Sequence, residues 1–280
     1  MQKSSLFFTI LFSLLLLAAC RDGMVPGEKA VEGDAKELLA QTKAAVDAKE
    51  YNKAKMLMDS IRRTYPKAFK TLCEVEDLYH KVLVDEKMRD VAFCESELEK
   101  MIVLRDSLVK KFDYRKDSKY EDFGLYSHPS QAISKNANNC FMRATVNEDA
   151  EAVITSYYRG KRIGHKKIKV ISGGTFVEVD VMNADRPWTG KEYGSYVERY
   201  GFKLGNDGGI MKFIANTRDK VVVELVGEST LHTYELRDSD VKAIREVLEL
   251  QKLLASIKEM RGMLDEARYA LAYLNMDIKE

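Results

Sequence analysis

Several residue types are scarce in this 280-residue chain, which contains four cysteines, four histidines, four prolines and one tryptophan. So few cysteines exclude the dense disulfide framework of small secreted proteins. No Cys-x-x-Cys pair and no Cys/His spacing of a zinc site is present, so we expect no metal and no cofactor. The few prolines, together with 45% hydrophobic residues, indicate a globular protein rather than a disordered one.

An excess of charge of one sign is missing as well. The chain has 45 basic and 44 acidic side chains, so nothing in its overall charge favours nucleic acid as a partner. Beyond the N-terminus, no apolar run is long enough to span a membrane. The length allows one or two domains with cores of their own.

Local catalytic motifs are absent too. The sequence contains no GxSxG, HExxH, P-loop or dinucleotide fingerprint. Its histidines, His80, His128, His165 and His232, form no pair with motif spacing. We therefore predict that the protein is not an enzyme. A hydrolase of the cell envelope is the alternative, because a carboxylate pair that only the fold brings together leaves no local trace.

The N-terminus carries the clearest motif. Lys3 is followed by an apolar run from Leu6 to Leu17 that is too short for a stable membrane span, and then by Cys20. The tetrad Leu-Ala-Ala-Cys at 17–20 resembles the lipobox of bacterial lipoproteins. The resemblance implies a signal peptide at residues 1–19 and acylation of Cys20, including palmitate, which would hold the protein on a membrane. An ordinary signal peptide with a coincidental cysteine is the alternative.

The residues after Cys20 bear on location. Residues 20–33 contain three glycines and a proline, which predicts a flexible tether. Arg21 stands where an aspartate commonly signals inner-membrane retention, so resemblance to that sorting rule implies the outer membrane. The order of lipobox, helices, β region and helix resembles uncharacterised envelope lipoproteins of gut-type bacteria, and this resemblance implies no activity.

Residues 34–67 have the spacing of one helical repeat, with Asp34 as the predicted N-cap. The packing positions are Leu38, Ala45, Tyr51, Ala54, Met58, Ile61 and Pro66. This pattern resembles a tetratricopeptide repeat, which implies a hairpin of two helices. Thr42 and Lys49 stand where the repeat has glycines, and no second copy follows. Because a solenoid needs about three repeats, we predict that the hairpin packs on the base of a stalk formed by the long helices that follow; partner binding is the alternative.

Two segments predict long helices. Residues 68–112 contain neither glycine nor proline and are rich in helix formers, so we assign a helix at 68–117, roughly 65 Å in length over its regular part. Residues 238–280 repeat apolar side chains at steps of three and four. We expect the two helices to pack antiparallel as a coiled-coil stalk. A break of the first helix near Asp85 to Asp90, where the apolar spacing slips, is the alternative.

The segment at 118–237 predicts an inserted β head, giving an α+β protein overall. Short alternating runs separated by turn residues indicate an antiparallel sandwich or partly closed barrel. The predicted strands are Cys140 to Val146, Ala152 to Tyr158, Lys166 to Ile171, Thr175 to Val181, Tyr196 to Leu204, Met211 to Ala215, Val221 to Val226 and His232 to Leu236.

An aromatic segment in this head is a candidate ligand surface. Its candidate residues are Trp188, Tyr193, Tyr196 and Tyr200, accompanied by glycines. Flat side chains offer contact area at little entropic cost, which suits a glycan or a peptide. Core packing is the alternative, because Tyr196, Tyr200 and Phe202 share one face of a strand.

A basic hairpin is the second candidate site. Its cations are Arg159, Lys161, Arg162, Lys166 and Lys167. They predict an anion patch, with an ordinary solvated hairpin as the alternative. The nearby Asn206-Asp207 pair lacks the spaced carboxylates of a calcium site, so we interpret it as a tight turn.

Together these features predict a membrane-anchored envelope lipoprotein with a non-catalytic binding or scaffolding role. In the first hypothesis the stalk joins a protein partner or a second copy of the chain. In the alternative the β head binds a glycan or peptide and the stalk is a spacer.

Overall fold

The computed structural model describes residues 26–192 and 194–276. The predicted signal peptide, Cys20 and Tyr193 lie outside the described residues. The described chain combines helices with antiparallel sheets, which confirms the α+β prediction. It forms two compact units, one of residues up to Ala92 together with those from Glu266, and one of Phe93–Asp265. Within the described part, no helix has the length and apolar character needed to cross a bilayer.

Helix α1 spans Pro26–Asp47 and helix α2 spans Tyr51–Thr64. The tether prediction is therefore wrong for residues 26–33, which are helical, and Asp34 lies inside α1 rather than at its N-cap. Pro26 stands first in the helix, where a missing N–H costs no hydrogen bond. Glu32 is buried and accepts hydrogen bonds from the Thr71 hydroxyl (2.8 Å) and the Lys70 backbone (3.1 Å).

The first unit has its own apolar core. Ala54, Met58 and Ile61 of α2 are fully buried and pack with Leu39, Ala45, Val46, Val75 and Val82. The α1–α2 turn contains Lys49 at φ 59°, a left-handed conformation in which glycine is favoured. The lysine thus adopts the backbone conformation that a repeat glycine would supply.

Two long helices follow. Helix α3 spans Phe69–Leu108 without interruption, so the alternative of a break near Asp85 to Asp90 is wrong. It ends earlier than the predicted residue 117, in a 3-10 turn at Val109–Lys111, because Phe112 is extended and begins the β region. The last helix, here α5, spans Asp238–Met276 and begins where predicted.

The described residues include ten strands, which form two antiparallel sheets. The strands are β1 Asp113–Arg115, β2 Leu125–Ser127, β3 Phe141–Asn147, β4 Ala152–Gly160, β5 Lys167–Ser172, β6 Thr175–Asp180, β7 Arg186–Glu192, β8 Ser195–Lys203, β9 Val222–Val226 and β10 Leu231–Glu235. The six-stranded sheet has the order β1-β2-β3-β4-β8-β7, and the four-stranded sheet has the order β10-β9-β5-β6. Neither sheet of the described chain closes into a barrel.

The predicted strand at Met211 to Ala215 is wrong, because Ile210–Asn216 is helix α4. Its buried positions, Ile210, Met211, Ile214 and Ala215, recur with helical rather than alternating spacing. The buried Asp207 carboxylate accepts hydrogen bonds from the backbone of Gly205 (3.3 Å), Gly209 (3.2 Å) and Met211 (2.8 Å). The Asp207 carboxylate therefore holds the tight turn that the sequence predicted, directly before α4.

The core of the second unit draws on both sheets and on helices outside residues 118–237. Phe202 and Ile154 from the six-stranded sheet share it with Leu225 from the four-stranded sheet. Phe112 and five residues of α5, Ile244, Val247, Leu248, Leu250 and Leu254, complete it. The compact unit is consequently wider than the predicted head, since part of the core lies beyond either boundary.

The register of the six-stranded sheet defines its two faces. Met142, Ile154, Tyr200 and Phe202 belong to the core, and we call their side of the sheet the inner face. Successive side chains of a strand point to opposite sides. The outer face therefore carries the alternate residues of β3, β4, β8 and β7, and it contains the candidate site.

Candidate ligand-binding site on the six-stranded sheet

One row of the outer face is mostly aromatic. Phe141 pairs with Tyr157, Tyr157 with Arg199, and Arg199 with Trp188. The Phe141 and Tyr157 rings are stacked, with centroids 4.6 Å apart and an angle of 11° between their planes. The Arg199 guanidinium lies 4.0 Å from the centre of the Trp188 ring. Cross-strand alignment thus places one aromatic pair and one cation–π pair side by side.

A cavity of about 470 Å³ opens beside this row. Phe141, Tyr157 and Val197 supply apolar surface, and Ile133 and Ala137 of the β2–β3 loop add to it. The polar lining consists of Ser134, Asn136, Asn139, Arg159, Glu192 and Arg199. An apolar floor with a few convergent polar groups is the usual form of a small-ligand site.

Glu192 connects the two arginines of the cavity. Its Oε1 accepts a hydrogen bond from Arg199 at 3.0 Å, and its Oε2 lies 3.6 Å from Arg159. Arg159 also donates to the Glu192 backbone carbonyl at 3.0 Å. Because one carboxylate faces two guanidinium groups, this part of the cavity wall retains a positive charge.

The loop between β2 and β3 forms the opposite wall and is held rigidly. The buried Gln131 side chain donates to the Met142 carbonyl (2.8 Å) and accepts from the Ala144 backbone (3.0 Å), so it occupies the free edge of β3. The buried Asn136 amide donates to the Ser130 and Ala132 carbonyls, both at 2.9 Å. The wall is therefore formed before any ligand arrives.

His128 anchors the start of this loop. Its Nδ1 accepts the Ser130 backbone N–H (3.2 Å) and lies 2.8 Å from the Ser130 hydroxyl, while its Nε2 lies 3.1 Å from Glu246 Oε2. Ser130, His128 and Glu246 therefore stand in the order of the nucleophile, base and acid of a catalytic triad. The backbone N–H engages Nδ1, however, so the imidazole caps the 3-10 turn Pro129–Gln131 and ties it to α5.

The inner face contains a second polar group of a different kind. Glu198 and His165 side chains are fully buried, and the His165 Nδ1 donates to Glu198 at 2.7 Å. The backbone of Ile163, Gly164 and His165 donates to the same carboxylate at 2.9, 2.8 and 3.1 Å. Burial lowers the His165 pKa. Burial alone would raise the Glu198 pKa, but the backbone hydrogen bonds lower it overall.

A second cleft, of about 430 Å³, contains Asp122, Glu148 and Asp149, the kind of acidic group that the hydrolase alternative requires. Glu148 accepts hydrogen bonds from the Gly124 backbone (2.8 Å) and the Tyr114 hydroxyl (3.0 Å), and the first of these chiefly lowers its pKa. Asp149 pairs with Lys258 at 2.7 Å. Glu148 is held as an ion with both oxygens engaged, which makes it a poor proton donor.

The predicted aromatic platform is divided between the two faces. Trp188 lies on the outer face and is 38% exposed, whereas Tyr200 is buried in the inner core. Tyr196 alternates with Val197 and so lies on the Tyr200 side, with Arg162 5.5 Å from its ring centre. For Tyr200 and Phe202 the alternative interpretation, core packing, is correct. The two side chains lie two residues apart on β8 and both point into the core.

The predicted anion patch is divided as well. Arg159 reaches the cavity, but Lys166 pairs with Glu228 and Lys167 pairs with Glu178. Lys161 and Arg162 belong to the turn after β4, where the Lys161 carbonyl accepts a hydrogen bond from Tyr158 at 2.7 Å. Strand alternation and ion pairing therefore leave one of the five predicted cations at the site.

Sequence reasoning missed Phe141, Tyr157, Arg199, Asn139 and Glu192. These residues come from four separate segments, so no local motif joins them. Strand β7 was also missed, because its Pro187 and Gly190 weaken the strand signal; it is an edge strand, where proline is tolerated. A correct register for β3, β4 and β8 could have aligned Phe141, Tyr157 and Arg199 in one row.

The remaining candidate chemistry is sparse. The described cysteines, Cys73, Cys94 and Cys140, are free thiols; Cys94 is buried, whereas Cys73 is exposed. Within residues 26–192 and 194–276, no three His, Cys, Asp or Glu side chains are grouped to hold a metal ion.

Comparison of the chain with protein-family models gave no match, and comparisons with curated proteins and with solved structures gave no significant match. The function must therefore be argued from the site itself.

Proposed function

We propose that the protein is a lipid-anchored binding protein of the cell envelope, and that the outer face of its six-stranded sheet binds a glycan. The observation that carries the proposal is the 470 Å³ cavity between the stacked Phe141–Tyr157 pair and the polar groups Arg159, Glu192 and Arg199. A sugar presents one apolar ring face and a rim of hydroxyl groups. The cavity offers an aromatic floor and a rim of donors and acceptors to match them.

The surrounding fold supports this role if its two sheets form a sandwich. A single core containing Phe202 of one sheet and Leu225 of the other favours that arrangement. A site built on a sheet backed by such a core changes little on binding, and pre-organisation preserves affinity. The Gln131 and Asn136 hydrogen bonds extend the same rigidity to the loop wall.

Glycan binding can be tested on an array and by fluorescence of the full chain in a detergent without sugar groups. Trp188 is the single tryptophan and contacts Arg199 of the cavity, so a bound ligand should change its emission. We expect Tyr157→Ala to lower affinity by about 10- to 100-fold, on the order of 1–3 kcal/mol, because it removes the more exposed ring of the stacked pair.

Tyr120→Ala is the matched control, since Tyr120 is 75% exposed on a different segment of the second unit. Binding that is equally strong in Tyr157→Ala, or an array on which no glycan is retained, would contradict the proposal.

The lipid anchor is a separate part of the proposal and is supported by the Leu17 to Cys20 tetrad. The Cys20 thiol would accept the first acyl group, so Cys20→Ala should abolish labelling by a fatty-acid analogue and block processing. A Cys20→Ala variant that is still labelled and still membrane-bound would refute the anchor.

Association through the long helices remains a second candidate. In the second unit, Lys111 lies 3.4 Å from Glu246, while Arg105 shares a cleft with Leu254 and Ile257, which supports antiparallel packing of α3 and α5 into a stalk. Val103 and Leu104 of α3 are 66% and 58% exposed, more than such large apolar side chains usually are. Photo-crosslinking from position 103 should identify a second copy of the chain or a protein partner; recovery of uncrosslinked monomer alone would exclude this candidate.

A further inference from the structure

A second row of the outer face carries two arginines that form no ion pair with any described residue. Arg143 of β3 pairs with Thr155 of β4, Thr155 with Gly201 of β8, and Gly201 with Arg186 of β7. This row lies directly beside the row of Phe141, Tyr157, Arg199 and Trp188. Two cations therefore stand at the ends of a row whose middle positions are small.

Gly201 lies in the middle of this row and is buried. A Cβ atom at Gly201 would lie 3.2 Å from the Thr155 hydroxyl and 3.5 Å from Cβ of Arg186. A side chain at this position would therefore crowd its neighbours in the row. Neighbouring strands lie about 4.8 Å apart, so the backbones of Arg143 and Arg186, three strand spacings apart, are separated by roughly 14 Å.

The charges of this row are not neutralised within the described chain. The other cations of the outer face have acidic partners, since Arg159 and Arg199 share Glu192 and Lys203 pairs with Glu151 at 3.0 Å. Neither Arg143 nor Arg186 forms an ion pair with any described residue, and the buried Nε of Arg143 has no hydrogen-bond partner there. A buried donor without an acceptor is costly, and the positive charge of Arg143 has no counter-ion among the described residues.

We infer that the glycan is acidic, with carboxylate groups that pair with Arg143 and Arg186 while a sugar ring lies on the Tyr157 floor. This inference rests on the proposed glycan-binding function and specifies its ligand class. Guanidinium groups bind carboxylates through two parallel charge-assisted hydrogen bonds, which Arg143 and Arg186 are free to make. An acidic peptide could also pair with Arg143 and Arg186. It would, however, offer no sugar ring to stack on Tyr157 and no hydroxyl groups to bond with the polar side chains of the cavity.

The test compares glycans that differ only in charge. Titrations of the full chain use oligogalacturonate, oligomannuronate and chondroitin fragments, each alongside its methyl-esterified form, with Trp188 emission and calorimetry as readouts. For at least one pair, we expect the free acid to bind at least tenfold more tightly than the ester, with affinity falling as salt is raised. Arg143→Gln and Arg186→Gln should each weaken binding of the acid about tenfold and leave binding of the ester within twofold.

Lys191→Gln is the matched control, because Lys191 lies on β7 but faces the opposite side from Arg186. Thermal unfolding of each variant checks that the fold is retained. Equal affinity for acids and esters, or binding that survives loss of both arginines, would overturn the inference while leaving glycan binding intact. Retention of neutral glycans alone on the array would do the same, whereas an array with no bound glycan overturns the proposed function itself. Binding of poly-glutamate in place of acidic glycans would overturn the inference in favour of a peptide ligand.

Discussion

The two faces of the six-stranded sheet differ in how their charged side chains are paired. On the inner face, each oxygen of Glu198 accepts hydrogen bonds, and the carboxylate and its partner His165 are fully buried. On the outer face, Glu192 is shared by two arginines, and Arg143 and Arg186 have no acidic partner among the described residues. The two faces therefore have different roles. The buried Glu198 carboxylate, whose oxygens all accept hydrogen bonds, stabilises the loop at 163–165, whereas arginines without an acidic partner can bind a ligand.

The largest effect should come from removing core residues that lie outside the predicted head. A fragment of residues 118–237 lacks Phe112 and the α5 residues Ile244 and Leu250, so it exposes the inner core. We expect it to show no cooperative thermal transition by circular dichroism, whereas a fragment of residues 93–265 should unfold cooperatively. Similar melting curves for the two fragments would show that α5 is dispensable to the inner core.

The contrast between the two carboxylates predicts the next effect. Glu198→Ala leaves a buried imidazole and three backbone N–H groups without an acceptor, and it should lower the free energy of unfolding by about 3–5 kcal/mol. Glu192→Ala removes two partly exposed ion pairs, with Arg159 and Arg199, and should cost about 0–1 kcal/mol for each. Denaturant titration of both variants measures the difference. Equal losses of unfolding free energy in the two variants would mean that Glu198 contributes no more to stability than Glu192.

The buried His165–Glu198 pair should also make the free energy of unfolding depend on pH. Since the His165 pKa is lowered in the folded state, the unfolded chain takes up this proton first as pH falls below about 6.5. Stability is therefore complete above that pH and declines below it. The lowered Glu198 pKa adds a further loss below about pH 4.3, for the same reason.

Unfolding free energies measured between pH 8 and pH 4 test this expectation. In His165→Gln the decline between pH 6.5 and 5 should be smaller than in the parent, and an unchanged slope would assign the decline to other groups. His232→Gln is the matched control, because His232 is also near Tyr158 but lies outside the Glu198 pair.

The smallest effect concerns exposure of Trp188. This side chain is 38% exposed, so acrylamide should quench its emission in the free protein, and a bound glycan should reduce quenching modestly through Arg199. Complete shielding in the free protein would place Trp188 in a covered environment and remove it from the outer-face site.

Several features followed from the sequence alone because their causes are local. Uninterrupted helix formers predicted α3 and α5 to within a few residues at most ends, and alternating apolar residues predicted seven of the ten strands. Ala54, Met58 and Ile61 were correctly expected to be packing residues of a helix. Short strands such as β1 and β2 were missed, since three residues carry too little periodicity to detect.

Only the tertiary structure decided the candidate site. Whether Trp188 and Tyr200 share a face depends on strand register, because a shift of one residue moves every side chain to the opposite side. Whether a cation such as Lys166 or Arg143 has an acidic partner depends on residues that are distant in sequence. Glu228, which pairs with Lys166, is 62 residues from it along the chain. Local periodicity determines helices and strands, whereas the pairing of distant strands determines which charges remain free to bind.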